Sequence, residues 1–320
     1  LQAVKQWLLK IKCIFIIGFF LLVELPLTAQ TERILSPDST WKSLGIITLN
    51  VGQTSFTNWA AGGDNQLNLN SISHFRLRYN KGKRSWENLI ELKFGSLIFD
   101  NFVTKKTDDI LNFASKFGFK ASPKWNYSYY LSFNSQLARG YNYPNDSVPV
   151  SMFMAPGYFI AGLGFDYLPN SSLSFLFSPI TNKLTIVNDP RLADLGSYGI
   201  EKPSYNSAGQ IISPSNKFKN EPGAFIKANY QQEFKNGLTL SSKVELFSAF
   251  SQKPLKLDIN WSSFVSYKIS RIVRATFSLD LIYDEDISIL VDTNGDGLKE
   301  NVGPRLQAKQ SLGLGLALVL

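Results

Sequence analysis

The chain has 320 residues, 44% of them apolar and 18% charged, with a formal net charge of +8. One cysteine, Cys13, and one histidine, His74, leave no thiolate or imidazole set for a zinc centre and no thiol pair for a disulfide. The basic balance is modest and no basic run stands out, which argues against nucleic acid and is compatible with an anionic lipid or lipopolysaccharide surface.

At the beginning of the chain, Lys5, Lys10 and Lys12 precede an apolar run from Cys13 to Val23, and Leu27-Thr28-Ala29 offers a small-residue cleavage site before Gln30. This is the anatomy of a signal peptide over residues 1–29, and the run is too short to span a bilayer. Residues 30–320 then read as one domain, since no repeat, linker or composition break divides them. No later apolar stretch has the length of a transmembrane helix, so membrane residence requires a barrel.

Read with the period of two that a strand imposes, the remainder breaks into about twelve runs. They lie near 44–53, 66–80, 84–99, 109–122, 125–140, 155–168, 171–178, 222–235, 238–250, 256–269, 272–285 and 305–320. Lys81-Gly82-Lys83, Pro123-Lys124, Pro169-Asn170, Asn236-Gly237 and Ser270-Arg271 connect alternate pairs tightly. The remaining connections are mostly longer, and 179–221 is the longest. Short turns at one end and long loops at the other predict an up-and-down antiparallel outer-membrane β-barrel, with both termini in the periplasm.

The faces of these runs support that expectation. Leu312, Leu314, Leu316, Leu318 and Leu320 share one face of the last run, with Gly313 and Gly315 on the other; a half-buried soluble strand gives the same alternation. Trp86, Ile90, Leu92 and Phe94 oppose Glu87, Glu91 and Lys93 on the third run. At the short-turn ends Tyr79, Trp86, Trp125, Tyr167, Tyr230, Phe234 and Tyr267 keep the parity of the apolar residues, as an interfacial aromatic girdle does.

The opposite parity defines a candidate lumen lining. Its basic members include Arg76, Arg78, Lys93, Lys116, Lys227, Lys243, Lys268, Arg274, Arg305 and Lys309. Its acidic members include Glu87, Glu91, Asp166, Glu245, Asp258 and Asp280. The basic excess predicts an anion-favouring, partly blocked pathway, while the mixture of signs equally allows an ion-paired filling.

Three further features invite chemistry. Asp292, Asn294 and Asp296, with Gly295 and Gly297, have the oxygen-ligand spacing of a weak calcium loop, but Gly303 stands where an EF-hand has its bidentate glutamate; an Asx- and Gly-rich hairpin has the same composition. Asn58-Trp59-Ala60-Ala61-Gly62-Gly63 sets an aromatic beside four small residues, suiting a constriction, a partner loop or a packed tip. His74 points by parity into the lumen, where a hydrolase would need a serine nucleophile that no motif marks. No enzyme activity and no resident cofactor are expected, apart from possible weak calcium.

The chain resembles a family of exported Bacteroidetes proteins grouped only as a domain of unknown function and regarded as outer-membrane barrels. The resemblance runs from about Trp41 to Leu320 and rests on Thr57-Asn58-Trp59-Ala60-Ala61-Gly62-Gly63, Lys106-Thr107-Asp108-Asp109, Gly140-Tyr141-Asn142-Tyr143-Pro144, Phe177-Ser178-Pro179-Ile180-Thr181 with Lys183-Leu184-Thr185-Ile186-Val187, Ile282-Tyr283-Asp284-Glu285-Asp286 and Gly303-Pro304-Arg305-Leu306-Gln307. It implies location and architecture and brings no activity. The expected function is a narrow, charge-lined, porin-like solute pathway, with a subunit that docks another outer-membrane protein through its long loops as the alternative.

Overall fold

Inward and outward side chains alternate along twelve long strands that close into one antiparallel barrel. The computed structural model describes residues 40–54, 65–99, 103–251, 256–270, 272–291 and 300–319. In chain order the strands are β1 (Trp41–Thr54), β2 (Gln66–Lys81), β3 (Arg84–Phe99), β4 (Thr104–Lys120), β5 (Trp125–Ser135), β6 (Gly140–Tyr141), β7 (Pro149–Ser151), β8 (Gly157–Tyr167) and β9 (Leu173–Ile186). They continue with β10 (Ser204–Tyr205), β11 (Ile211–Ser213), β12 (Phe218–Glu233), β13 (Leu238–Ala249), β14 (Asp258–Lys268), β15 (Val273–Tyr283), β16 (Ser288–Val291), β17 (Glu300–Pro304) and β18 (Gln307–Val319). Around the barrel the order is β1-β18-β15-β14-β13-β12-β9-β8-β5-β4-β3-β2. The pairing of Ile46 with Val319 through Leu49 with Leu316 closes it and leaves the sheet no free edge.

The outward face is apolar and open. Leu312 is 83% exposed and Leu314 62%, and Trp86, Phe94, Tyr129, Phe177 and Trp261 also lie exposed. The predicted girdle gathers at the short-turn end, where Trp41 stands 4.9 Å from Tyr79 and 6.0 Å from Trp86, and Trp125 4.7 Å from Tyr167. The inward face of β18 is nearly bare. A methyl at Gly315 would run into the Asn50 side chain on β1, so glycine there makes room for that amide.

Four predicted boundaries move by four residues or more, among them the start of β4, at Thr104 instead of near residue 109. The fifth run ends at Ser135 instead of near residue 140, and β12 begins at Phe218 instead of near residue 222. The seventh run continues past Pro179 to Ile186. Proline removes a ladder donor and usually ends a strand. Here the pairing shifts between Leu163 and Phe165, and the hydroxyl of Ser178 donates to the Leu163 carbonyl while that of Thr181 donates to the Ser178 carbonyl. Gly164 permits the approach, because a methyl on it would strike the Phe177 carbonyl. The long connection therefore spans 187–217, not 179–221.

That connection is ordered. It holds a short helix α1 (Pro190–Asp194), a 3-10 turn over Ser197–Gly199 and the β10–β11 hairpin. Asp189 caps α1 by accepting from the Leu192 amide, with Pro190 opening the first turn. Val187, Leu192, Ala193 and Ile200 bury themselves with Ala155 of the 136–156 connection, and the Tyr198 hydroxyl donates to the Val150 carbonyl. The two connections form one lid at the long-loop end.

Leu314→Arg places a charge near the middle of β18 on the outward face and should cost about 2–4 kcal/mol if lipid covers that face. Ser278→Arg on the inward face should cost much less, and folding yields in liposomes compare the two directly. Equal costs would contradict the face assignment.

Candidate functional site: the charged lumen

Long basic side chains inside a barrel this narrow reach carboxylates on strands that are not neighbours. Lys93 on β3 lies 3.1 Å from Glu91 and 3.7 Å from Asp280 on β15, on the far side of β2, β1 and β18. Lys183 on β9 meets Asp258 on β14 at 2.6 Å, and Lys309 on β18 meets Asp108 on β4 at 2.6 Å. Lys116 reaches Asp166 at 2.6 Å. Arg76 on β2 donates to the side-chain amide oxygen of Gln231 at 2.6 Å, and β2 and β12 stand diametrically opposite in the closed order. The lumen is therefore bridged from wall to wall at several heights.

The middle belt also holds an apolar wedge. Tyr130, Leu176, Phe225 and Phe247, from β5, β9, β12 and β13, pack together, with the Tyr130 and Phe225 rings stacked at 5.3 Å. Lys227 lies against this wedge, 2.8 Å from Glu245 and donating at 2.8 Å to the Tyr130 hydroxyl. A cavity of about 20 Å³ remains between the wedge and Glu87, Lys116 and Asn229, room for about one water molecule. The facing sector is lined differently. Thr48 and Asn50 on β1, Ser311, Gly313 and Gly315 on β18, Thr276 and Ser278 on β15, and Ser262 and Ser266 on β14 form a largely polar stripe, interrupted on the same inward parity by Ile46 on β1 and Phe264 on β14.

The sequence-derived lining falls into place as follows. Arg76 and Arg78 converge on Glu87, at 3.5 and 2.7 Å. Lys243 pairs in register with Asn229 and Ser262 and feels Glu91 and Glu245. Lys268 and Arg274 stand side by side at the short-turn end, where the Arg274 guanidinium donates to the Ser266 hydroxyl at 3.5 Å. Arg305 is misassigned, because it lies exposed in the break between β17 and β18 rather than in the wall. His74 approaches the Phe264 ring at 6.0 Å and sits in the field of Glu91, Lys93, Lys243 and Arg76. Asn58, Trp59, Gly62 and Gly63, and the calcium candidates Asp292, Asn294 and Asp296, lie outside the described residues. Among the described residues no group of three or more His, Cys, Asp or Glu is arranged to hold a metal ion.

Pattern reading missed the mouth at the long-loop end. Lys183 and Glu221 fall in the stretch taken for a loop, and Asp284-Glu285-Asp286 reads as a water-exposed strand exit. Instead Asp284 and Asp286 are mostly buried, facing Lys183 and Lys219. Burial lifts the Asp284 carboxyl above the ordinary aspartate range, against the pull of Lys183. Lys219 also meets Glu221 at 2.9 Å. The lid reaches this cluster, for a methyl at Gly199 would touch the Asp286 side chain. On the other side of the mouth, Asp109 accepts from the Leu137 and Ala138 amides, and Lys106 donates to Asp109, Gln136 and the Ala138 carbonyl, each at 2.9 Å. A vestibule of about 240 Å³ opens there between Lys106, Asp108, Gln136 and Lys309.

The expectation of a basic lining changes with these additions. Lys42, Arg76, Arg78, Lys116, Lys120, Lys268 and Arg274 at the short-turn end are opposed by Glu87, Asp166 and Glu233. Lys93, Lys227, Lys243 and Lys309, the last in register with Asp280, stand in the middle belt with Glu91, Glu245 and Asp280. Lys106, Lys183 and Lys219 at the long-loop mouth are outnumbered by Asp108, Asp109, Glu221, Asp258, Asp284 and Asp286.

Among known proteins, the model of a family described as protein of unknown function (DUF3078) matches residues 51–141, well under half of the chain. No curated protein matches. Solved structures similar in outline include an outer-membrane channel from Pseudomonas putida F1, with TM-score 0.37, 11% identity, and coverage of 89% of this chain and 99% of that one. The NanC porin gives TM-score 0.36, 9% identity, and 85% and 98% coverage. An anion-selective porin from Comamonas acidovorans gives 0.30, 8%, and 88% and 99%. Similarity this low carries no argument about activity.

Removing one member of the buried Lys227–Glu245 pair strands the other. Lys227→Met should cost about 3–5 kcal/mol in denaturant unfolding from micelles, and adding Glu245→Leu should recover most of it. A double variant as unstable as the single one would mean the pair itself holds the barrel.

Proposed function

We propose that the chain is an outer-membrane β-barrel whose lumen is a narrow, charge-lined solute pathway, closed at rest by the side chains that cross it. The outward apolar face and aromatic girdle support the membrane location, since a closed barrel offers lipid no unpaired backbone. The observation that carries the pathway is the stripe of small polar groups on β15 and β18, extended to β1 and β14 around Ile46 and Phe264, with the Lys93–Asp280 bridge in front of it. A filling that served rigidity alone is better made of apolar groups, because buried ion pairs barely repay their desolvation. Long stems ending in charges swing aside without disturbing the wall.

The ordered lid favours a second reading, a subunit that docks a partner. Its hairpin leaves Tyr205, Ile211 and Ile212 exposed, beyond the needs of a loop that only closes the barrel.

In planar bilayers the protein should give small, infrequent conductance steps, and Lys93→Ser with Asp280→Ser should enlarge them severalfold. Silence in both would remove the pathway reading and leave the docking one. For orientation, Ala208→Cys in the lid should react with a membrane-impermeant thiol reagent on intact cells, and Lys83→Cys at a short turn only after the outer membrane is opened. The reverse pattern would invert the assignment.

A further inference from the structure

Among the described residues, the fixed charge of the lumen changes sign along the barrel axis: net positive at the short-turn end, close to balance in the middle belt and net negative at the long-loop mouth. We propose, resting on the pathway reading above, that this axial polarity makes the lumen a rectifier of ion current, conducting better when the long-loop side is positive.

The direction follows from which ions each end admits. A negatively lined mouth concentrates cations and a positively lined one concentrates anions, most strongly between low-dielectric walls. A positive potential on the long-loop side drives cations in through the acidic mouth and anions in through the basic one. Both species then fill the middle belt, and conductance rises. The opposite potential draws each species out through the end that favours it, while the far end refuses its replacement. The middle belt empties and conductance falls.

Lys268 and Arg274 are the handle on this device. They are register partners across β14 and β15, at the basic end, and no ion pair engages either side chain among the described residues. Reversing them leaves the cross-lumen bridges intact and cancels the positive excess of the basic end.

The test is the current–voltage curve of the full-length protein inserted from one side of a planar bilayer, with orientation read from impermeant labelling of Ala208→Cys. At 0.1 M KCl, current should be larger by about twofold or more with the long-loop side positive. The ratio should fall toward one near 1 M, where the Debye length shrinks from about 10 Å to about 3 Å. Lys268→Glu with Arg274→Glu should cut the asymmetry at low salt by at least half and shift the pore toward cation preference. A symmetric curve at 0.1 M, rectification of opposite sign, or rectification unchanged in the double reversal overturns the inference while the pathway stands. A protein that inserts, by liposome flotation, and never conducts overturns both.

Discussion

Ammonium groups that reach across the lumen to carboxylates on distant strands are the interaction on which the rest of this structure depends. A barrel wall fixes only the distances between neighbours, and its interior must be filled or flooded. Here the stems of Lys93, Lys183 and Lys309 span the interior, and their heads end on Asp280, Asp258 and Asp108. Each pair ties strands that the hydrogen-bond ladder does not join. Each also buries charge at a desolvation cost that good geometry only just offsets. The interior is therefore stable as a network and vulnerable to the loss of any one member, a suitable property for something that opens.

The two halves of the lumen divide the labour. Tyr130, Leu176, Phe225 and Phe247 fill one sector with rings and an aliphatic side chain that have no reason to leave it. Across from them, hydroxyls, an amide and glycine alternate with a few larger groups, Ile46 and Phe264 among them, along the β14–β15–β18–β1 sector, over which Lys93 leans to Asp280. In the proposed reading this sector is the path and the apolar wedge is its fixed wall. Basic groups gather towards the tight turns and acidic ones towards the lid, so the two mouths differ chemically as well as in shape.

The wall of the barrel was legible in the sequence because its signal is local. Parity places Trp86 and Phe94 outside and Glu87 and Lys93 inside without any knowledge of their neighbours. Tight turns such as Asn236-Gly237 announce themselves, with Gly237 in the left-handed region that a side chain resists. The mouth was not legible because its signals are not local. Pro179 and Pro222 break the strand pattern, and only the Ser178–Thr181 hydroxyl contacts and the bare Cα of Gly164 explain why β9 runs through. Lys183 and Glu221 vanished from the lining with that error. Asp284 and Asp286 look like a solvated acidic run until Lys183 and Lys219 are brought to them from the far side. The segments that carried the family resemblance largely converge on this mouth: Lys106 and Asp109 hold the loop after β5, the Lys106 amide donates to the Tyr143 hydroxyl, and Tyr283 donates to Glu285.

If cross-lumen ion pairs hold the interior closed, a double-mutant cycle on Lys183 and Asp258 must show the two charges to be coupled. These residues are 2.6 Å apart, on strands separated by β12 and β13. Unfolding free energies in micelles for Lys183→Met, Asp258→Asn and the pair should give a coupling of about 1–3 kcal/mol, because the other carboxylates near Lys183, Glu221 in register beside it and Asp284, stand farther off at 4.0 and 3.8 Å. Coupling indistinguishable from zero would contradict the claim: the charges would then be independently solvated, and the lumen would be open water rather than a closed network.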